Sequence, residues 1–295
     1  MGPRRSGEAM NEAVTGWIAA EPGIQLRLLR WDPPAPRGSV LVVHGFGDHA
    51  GRYRDVARVL GSRGLAVAAY DQRGHGGSPG RRGDAPGFAS FLTDLDRVWE
   101  HALLVLPAPQ FLYGHSFGGL VVMRWVQTRG AKPRGVVLSA PWLATRLKVP
   151  RWKLLAGRVL LRVAPALTIA SGSDRPELLT RDPARAAQYV ADPLVHHSIS
   201  ARFHDDAERE QARALEEGWP DLPTLLVLPG DDRLVDAEVA RRWAERHPVV
   251  AVLVRDGGRH ELHNDIDLDQ ALGEVADWIE GRLAPEPAAP DRVLT

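Results

Sequence analysis

One stretch constrains the fold of this 295-residue chain more than any other: Phe111-Leu112-Tyr113-Gly114-His115-Ser116-Phe117-Gly118-Gly119-Leu120-Val121-Val122. An apolar run suited to a buried strand leads into Gly-x-Ser-x-Gly, and a run with helical character (Leu120, Val121, Met123, Arg124, Trp125) leads out. A serine at such a strand-to-helix turn is held in a strained backbone that pushes its hydroxyl out of the sheet. Small residues at 114, 118 and 119 let strand and helix approach closely. The motif alone is weak, because glycine and serine are common. Its flanks make Ser116 a candidate nucleophile, against the plainer role of a serine that only caps a helix.

Around this turn the chain alternates strand and helix. Apolar runs at 39–43, 65–70 and 135–139 read as strands covered on both faces. A strand with alternating polarity at 24–31 ends at Pro33-Pro34. Helices are predicted over 53–63, where Val56, Val59 and Leu60 share one face, and over 88–106. Alternation resumes with a strand at 224–228, a helix at 237–247, a strand at 249–254 and a helix at 268–283. This is an α/β pattern with right-handed crossovers and a mostly parallel sheet. Between 142 and 220 there are helical patterns and proline breaks but no convincing strand. An excursion of about 80 residues is too long for an ordinary connection. It predicts a helical cap, or lid, inserted between a core of residues 1–141 and its continuation at 221–283, followed by a disordered tail at 284–295.

Composition narrows the function. Lysine plus arginine and aspartate plus glutamate both number 37, so nucleic acid is not an expected partner. Cysteine is absent, which removes thiolate nucleophiles and disulfides. The N-terminal Arg4-Arg5 has no apolar run behind it, and no segment reaches the roughly 18 apolar residues of a spanning helix. The chain reads as soluble and cytoplasmic. No histidine pair sits at zinc spacing, so neither a metal nor another cofactor is expected.

A serine hydroxyl needs a base, and folds that present one this way supply the acid and then the histidine in later loops. The loop after Leu228 holds Asp231, Asp232 and Asp236; the loop after Val254 holds His260 and His263. Both follow buried strands and so share the carboxyl edge of the sheet with Ser116. His260 is the expected base. Asp232 leads among the acids, Asp231 is second, and Asp236 suits a helix cap. Backbone amides of Phe117 and of Phe46, after His44-Gly45, are the natural donors for an oxyanion. The cap carries Arg146, Lys148, Arg151, Lys153, Arg158 and Arg162 without an acid between 142 and 163, mixed with tryptophan and leucine. Such a helix suits a lipid interface or an apolar substrate mouth, or else a core-facing helix with a solvated basic face.

The blocks His44-Gly45-Phe46-Gly47-Asp48-His49-Ala50-Gly51-Arg52-Tyr53, Asp71-Gln72-Arg73-Gly74-His75-Gly76-Gly77-Ser78-Pro79-Gly80, Gly114–Gly119, Asp192-Pro193-Leu194 and His260-Glu261-Leu262-His263-Asn264-Asp265 together resemble the monoacylglycerol lipases of the lysophospholipase-like serine hydrolases. The resemblance spans roughly residues 24–283. It implies an α/β-hydrolase fold with a helical cap that opens onto membranes or lipid aggregates, and a small lipid ester as substrate. It selects Asp232 as the acid and Phe46 and Phe117 as oxyanion donors. Asp48, Arg52 and His263 fall where the family positions the glycerol head, Asp48 replacing the usual glutamate. Lysophospholipase or broad carboxylesterase activity would use the same machinery, and a non-catalytic hydrolase-like binding protein is the alternative from another class.

Overall fold

The structure is a computed structural model that describes residues 12–130, 133–146, 151–172 and 175–284, without the side chains of 151–155. The expected tail beyond 284, the basic N-terminal stretch, Lys148 and the side chains of Arg151 and Lys153 lie outside the described residues.

In chain order the elements are β1 (Val14–Glu21), β2 (Ile24–Trp31), β3 (Gly38–Val43), α1 (Arg54–Ser62), β4 (Leu65–Tyr70), α2 (Ala89–Val105), β5 (Gln110–His115), α3 (Phe117–Arg129), β6 (Gly135–Ser139), α4 (Arg151–Val163), β7 (Thr168–Ala170), α5 (Pro183–Ala191), β8 (Ser198–Ser200), α6 (Ala201–Glu216), β9 (Thr224–Pro229), α7 (Ala237–Glu245), β10 (Val250–Arg255) and α8 (Leu268–Glu280). Eight strands form one sheet in the order β1-β2-β4-β3-β5-β6-β9-β10. The β1/β2 and β2/β4 pairs are antiparallel; every pair from β4 to β10 is parallel.

Side-chain alternation divides the core between the two faces. Val40 and Val42 point toward Val56, Leu60, Leu272 and Ile279 of α1 and α8. Leu41 and Val43 point toward Phe91, Leu95, Phe117 and Leu120 of α2 and α3. That two-sided covering is why the central strands read as unbroken apolar runs.

Two features depart from the expectations above. The hairpin partner β1 was not predicted. As an edge strand it buries little beyond Ile18 and Ala20, leaving Val14 and Trp17 exposed, so it has almost no hydrophobic pattern. The segment between β6 and β9 is not purely helical, because β7 and β8 pair antiparallel within it. Each is three residues long, below what periodicity reveals. The last helix of this excursion, α6, packs into the core: Phe203, Ala207 and Ala214 join the α2/α3 side. Arg124 of α3 reaches Glu210 of α6 and Glu217 just past its end, both at 2.7 Å. At its N-terminal end, Asp84 accepts from Ser200 Oγ (2.7 Å) and from Arg202 (2.6 and 2.8 Å).

Candidate active site

Strands β3, β5, β9 and β10 run parallel and end at one edge of the sheet, so the loops that follow them meet there. Ser116, between β5 and α3, has φ 52° and ψ −116°, a left-handed conformation that a non-glycine residue adopts only under constraint. The constraint is the packing of the turn. A Cβ on Gly118 would lie 2.1 Å from the Val43 carbonyl oxygen, and one on Gly114 would lie 2.7 Å from that of Gly118. Only glycines let α3 begin this close to β3 and β5.

Ser116 Oγ is 2.9 Å from His260 Nε2, and His260 Nδ1 is 2.8 Å from Asp232 Oδ2. A carboxylate only accepts, so Nδ1 donates to Asp232 and Nε2 is left to accept from the serine hydroxyl. The other oxygen of Asp232 accepts the amides of Leu234 (2.9 Å) and Val235 (3.0 Å), which fix the carboxylate. Burial disfavours a charged imidazole at His260, but Asp232, with Glu261 and Asp48 behind it, outweighs burial and raises its pKa above the ordinary histidine range. Asp231 lies outside this chain of bonds, half-exposed and paired with Arg233 and Arg259, and Asp236 caps α7 through the amide of Glu238.

Phe117 is the first residue of α3, so its amide has no carbonyl a turn earlier. Phe46 follows the turn after β3. Among the described residues neither amide donates to another protein group. The Phe46 ring lines the cavity and packs against Phe117, Trp142, His196 and Phe203. His44 braces the turn, its Nε2 accepting from the Gln72 amide at 2.9 Å and its Nδ1 lying 2.7 Å from the Gly45 carbonyl. The segment between β6 and β9 touches this turn directly, through the His196 amide donating to the Gly47 carbonyl at 2.9 Å. Among the described residues no three His, Asp or Glu side chains are placed to share a metal ion.

A cavity of about 730 Å³ opens from Ser116 and His260 into the segment between β6 and β9. Leu160, Leu161, Ile169 and Ile199 line it on that side, and Asp48 and Glu261 form its floor, where the Glu261 amide donates to the Leu179 carbonyl at 2.9 Å. Of the three residues expected at a polar head, only Asp48 lines this space. Arg52 sits behind the wall, held by Asp48 (2.9 Å) and by both oxygens of Glu261 (2.9 and 2.5 Å). His263 is fully buried, stacked on Tyr53 with ring centroids 4.6 Å apart. Burial drops its pKa to about 4, which keeps it neutral. Neither of its ring nitrogens finds a partner among the described residues.

Glu261 is the site residue that sequence reasoning missed. Burial would raise its pKa, but the Arg52 guanidinium holds it at about 2. Asp48 behaves alike, burial opposed by Arg52 and the result about 2. The only sequence signal was its place next to His260, and that does not tell which way the side chain points.

A mostly parallel sheet that presents a strained serine, an aspartate and a histidine after the carboxyl ends of its strands is the architecture of the α/β-hydrolases. Residues 34–267 match the family described as serine aminopeptidase, S33, and the chain belongs to that family. It is 31% identical over 271 residues to a monoacylglycerol lipase of Mycolicibacterium smegmatis, covering 88% of this chain and 95% of that protein. It superimposes on the crystal structure of Paleococcus ferrophilus monoacylglycerol lipase with a TM-score of 0.78 and 33% identity, covering 87% of this chain and 99% of the other. It is also 30% identical over 264 residues to an uncharacterized abhydrolase domain-containing protein of Dictyostelium discoideum, of which it spans 28% of the length.

Proposed function

We propose that this chain hydrolyses monoacylglycerols to glycerol and a fatty acid through an acyl-enzyme on Ser116. The observation that carries the reading is the Asp232–His260–Ser116 hydrogen-bond chain, which opens into a cavity with a polar floor and an apolar cap wall. Ser116 Oγ attacks the ester carbonyl while His260 Nε2 takes its proton and Asp232 stabilises the imidazolium. The amides of Phe46 and Phe117 receive the oxyanion. His260 then protonates the departing glycerol oxygen, and on the return half-reaction it takes a proton from water, which attacks the acyl carbonyl and frees Ser116. The acyl chain lies along Leu160, Leu161 and Ile199, with the alcohol at the Asp48 end.

The cap supports a lipid-facing role. Val159, Val163, Leu167 and Ile169 are exposed, and Arg158 and Arg162 stand exposed on the same helix, α4, as the two valines. A basic and apolar surface of this kind favours contact with a lipid aggregate or membrane. No helix among the described residues is long and apolar enough to cross a bilayer.

The test is a panel with one acyl chain: a monoacylglycerol, the matching lysophospholipid and a nitrophenyl ester. kcat/KM is expected to be highest on the monoacylglycerol, by about tenfold over the lysophospholipid, a margin of about 1.4 kcal/mol. A preference for the lysophospholipid overturns the assignment of substrate.

The pH profile follows from His260. The base must be neutral in the free enzyme, and its pKa is raised by Asp232 against the effect of burial. Activity is therefore lost as pH falls through that raised value. The acid limb of kcat/KM is expected above pH 6.5, the ordinary histidine value.

A further inference from the structure

The polar floor of the cavity contains an imbalance of charge. Asp48 and Glu261 both line it beside Ser116 and His260, and both are 4% exposed. Their shared countercharge is the single guanidinium of Arg52, which is not part of the cavity wall. Nη1 of Arg52 bonds Asp48 Oδ1 and Glu261 Oε1, Nη2 bonds Glu261 Oε2, and the guanidinium carbon lies 4.8 Å from the ring centre of Tyr189 in the cap. A guanidinium fork engaged on two protein carboxylates is not available to grip a substrate anion.

The remaining contacts keep both acids charged acceptors. Asp48 also takes the Tyr53 hydroxyl (3.0 Å) and the His49 amide (2.7 Å), and Glu261 takes Asn264 Nδ2 (3.0 Å). Asp48, Glu261 and Arg52 together carry one net negative charge. Asp192 of the cap, 2.8 Å from His49 Nε2, is a further carboxylate nearby. The cations that line the same cavity, Arg158 and Arg175, are exposed on the cap side, where water and ions screen them and where Glu208 also stands. A charge set in a buried wall acts on a neighbouring ligand far more strongly than one at a hydrated rim.

We propose that Glu261 determines leaving-group specificity: by occupying the Arg52 fork it makes the floor of the cavity net negative, so the site takes esters of neutral or cationic alcohols and discriminates against alcohols that carry a phosphate or sulfonate. The inference rests on the proposed acyl transfer at Ser116, with the alcohol at the Asp48 end.

The experiment uses the full chain and aryl esters of one fatty acid whose leaving phenol is neutral, sulfonated or trimethylammonium-bearing. Intrinsic reactivity of the three phenols cancels when Glu261→Gln is compared with wild type. The sulfonate-to-neutral ratio of kcat/KM is expected to rise about tenfold in Glu261→Gln, a change of about 1.4 kcal/mol. The trimethylammonium-to-neutral ratio is expected to fall severalfold. Glu261→Asp, which keeps the charge, should retain the wild-type order. A purely structural role for Glu261 would slow all three esters together and leave the ratios alone; that result overturns the proposal. Should Glu261→Gln fail to fold, Asp48→Asn removes a charge from the same wall and must move the ratios the same way, and a wild type that cleaves the sulfonated ester as readily as the cationic one, once each rate is divided by that ester's alkaline hydrolysis rate, overturns the proposal without any variant. None of these esters contains glycerol. A lysophospholipid preference in the earlier panel would count against both readings, because its leaving alcohol carries a phosphate, whereas unchanged ratios in a protein that cleaves monoacylglycerol would sink only the role of Glu261.

Discussion

In a His260→Ala protein, kcat on a monoacylglycerol is expected to fall by roughly 10⁴-fold with little change in KM. The imidazole is the only group within hydrogen-bond distance of Ser116 Oγ among the described residues, at 2.9 Å. Without it the hydroxyl has no acceptor for its proton, and the alcohol has no donor as it leaves. The cavity walls proposed to hold the acyl chain are untouched, so binding is expected to survive. The fold should survive as well, because Asp232 keeps two backbone amides as donors after the imidazole is gone. Adding Ser116→Ala to His260→Ala is expected to lower the rate little further, since the two residues act as one unit. Steady-state kinetics of the two single variants and the double variant, with thermal unfolding as a check on folding, measure this.

Gly118→Ala is expected to destabilise the protein by about 3 kcal/mol or more. The new Cβ would lie 2.1 Å from the Val43 carbonyl oxygen and 2.4 Å from that of His44. Both are backbone atoms at the end of β3, and no side chain can turn aside to make room. Relief requires moving α3 away from β3, which separates the Phe117 amide from the Phe46 amide as well as straining the turn at Ser116. Activity should therefore fall even in protein that folds. Gly273→Ala is the matched control. That glycine lies within α8 with nothing within 4 Å of the added carbon, and alanine there should stabilise by about 0.5–1 kcal/mol. Urea unfolding midpoints of the two variants should move in opposite directions.

The contrast between these glycines bears on what the sequence could tell. Central strands were legible because burial on both faces leaves no polar residue to break the run, as in Val40–Val43. Once those strands were placed, the loops after them had to meet at one edge, which put Ser116, His260 and the acids of the loop after Leu228 together; the family resemblance then singled out Asp232. β1 was illegible because an edge strand needs little apolar surface, and β7 and β8 because three residues hold no period. At the polar end of the cavity the sequence supplied residue types but not directions. Arg52 reads as a ligand for a polar head until Glu261 is seen to hold it from behind. His263 lies three residues after His260, and the short 3₁₀ turn at Leu262–Asn264 carries it away from the cavity onto Tyr53. Side-chain direction around a tight turn depends on tertiary partners that spacing does not encode.

The central claim is that Ser116 carries the acyl group during turnover. Acid-quenching the protein during hydrolysis of a monoacylglycerol and mapping the adduct by peptide mass spectrometry tests this directly. An acyl mass is expected on the peptide containing Ser116 in the wild type and none in Ser116→Ala. Release of glycerol with no acyl adduct at Ser116, or with an adduct on another residue, would contradict it.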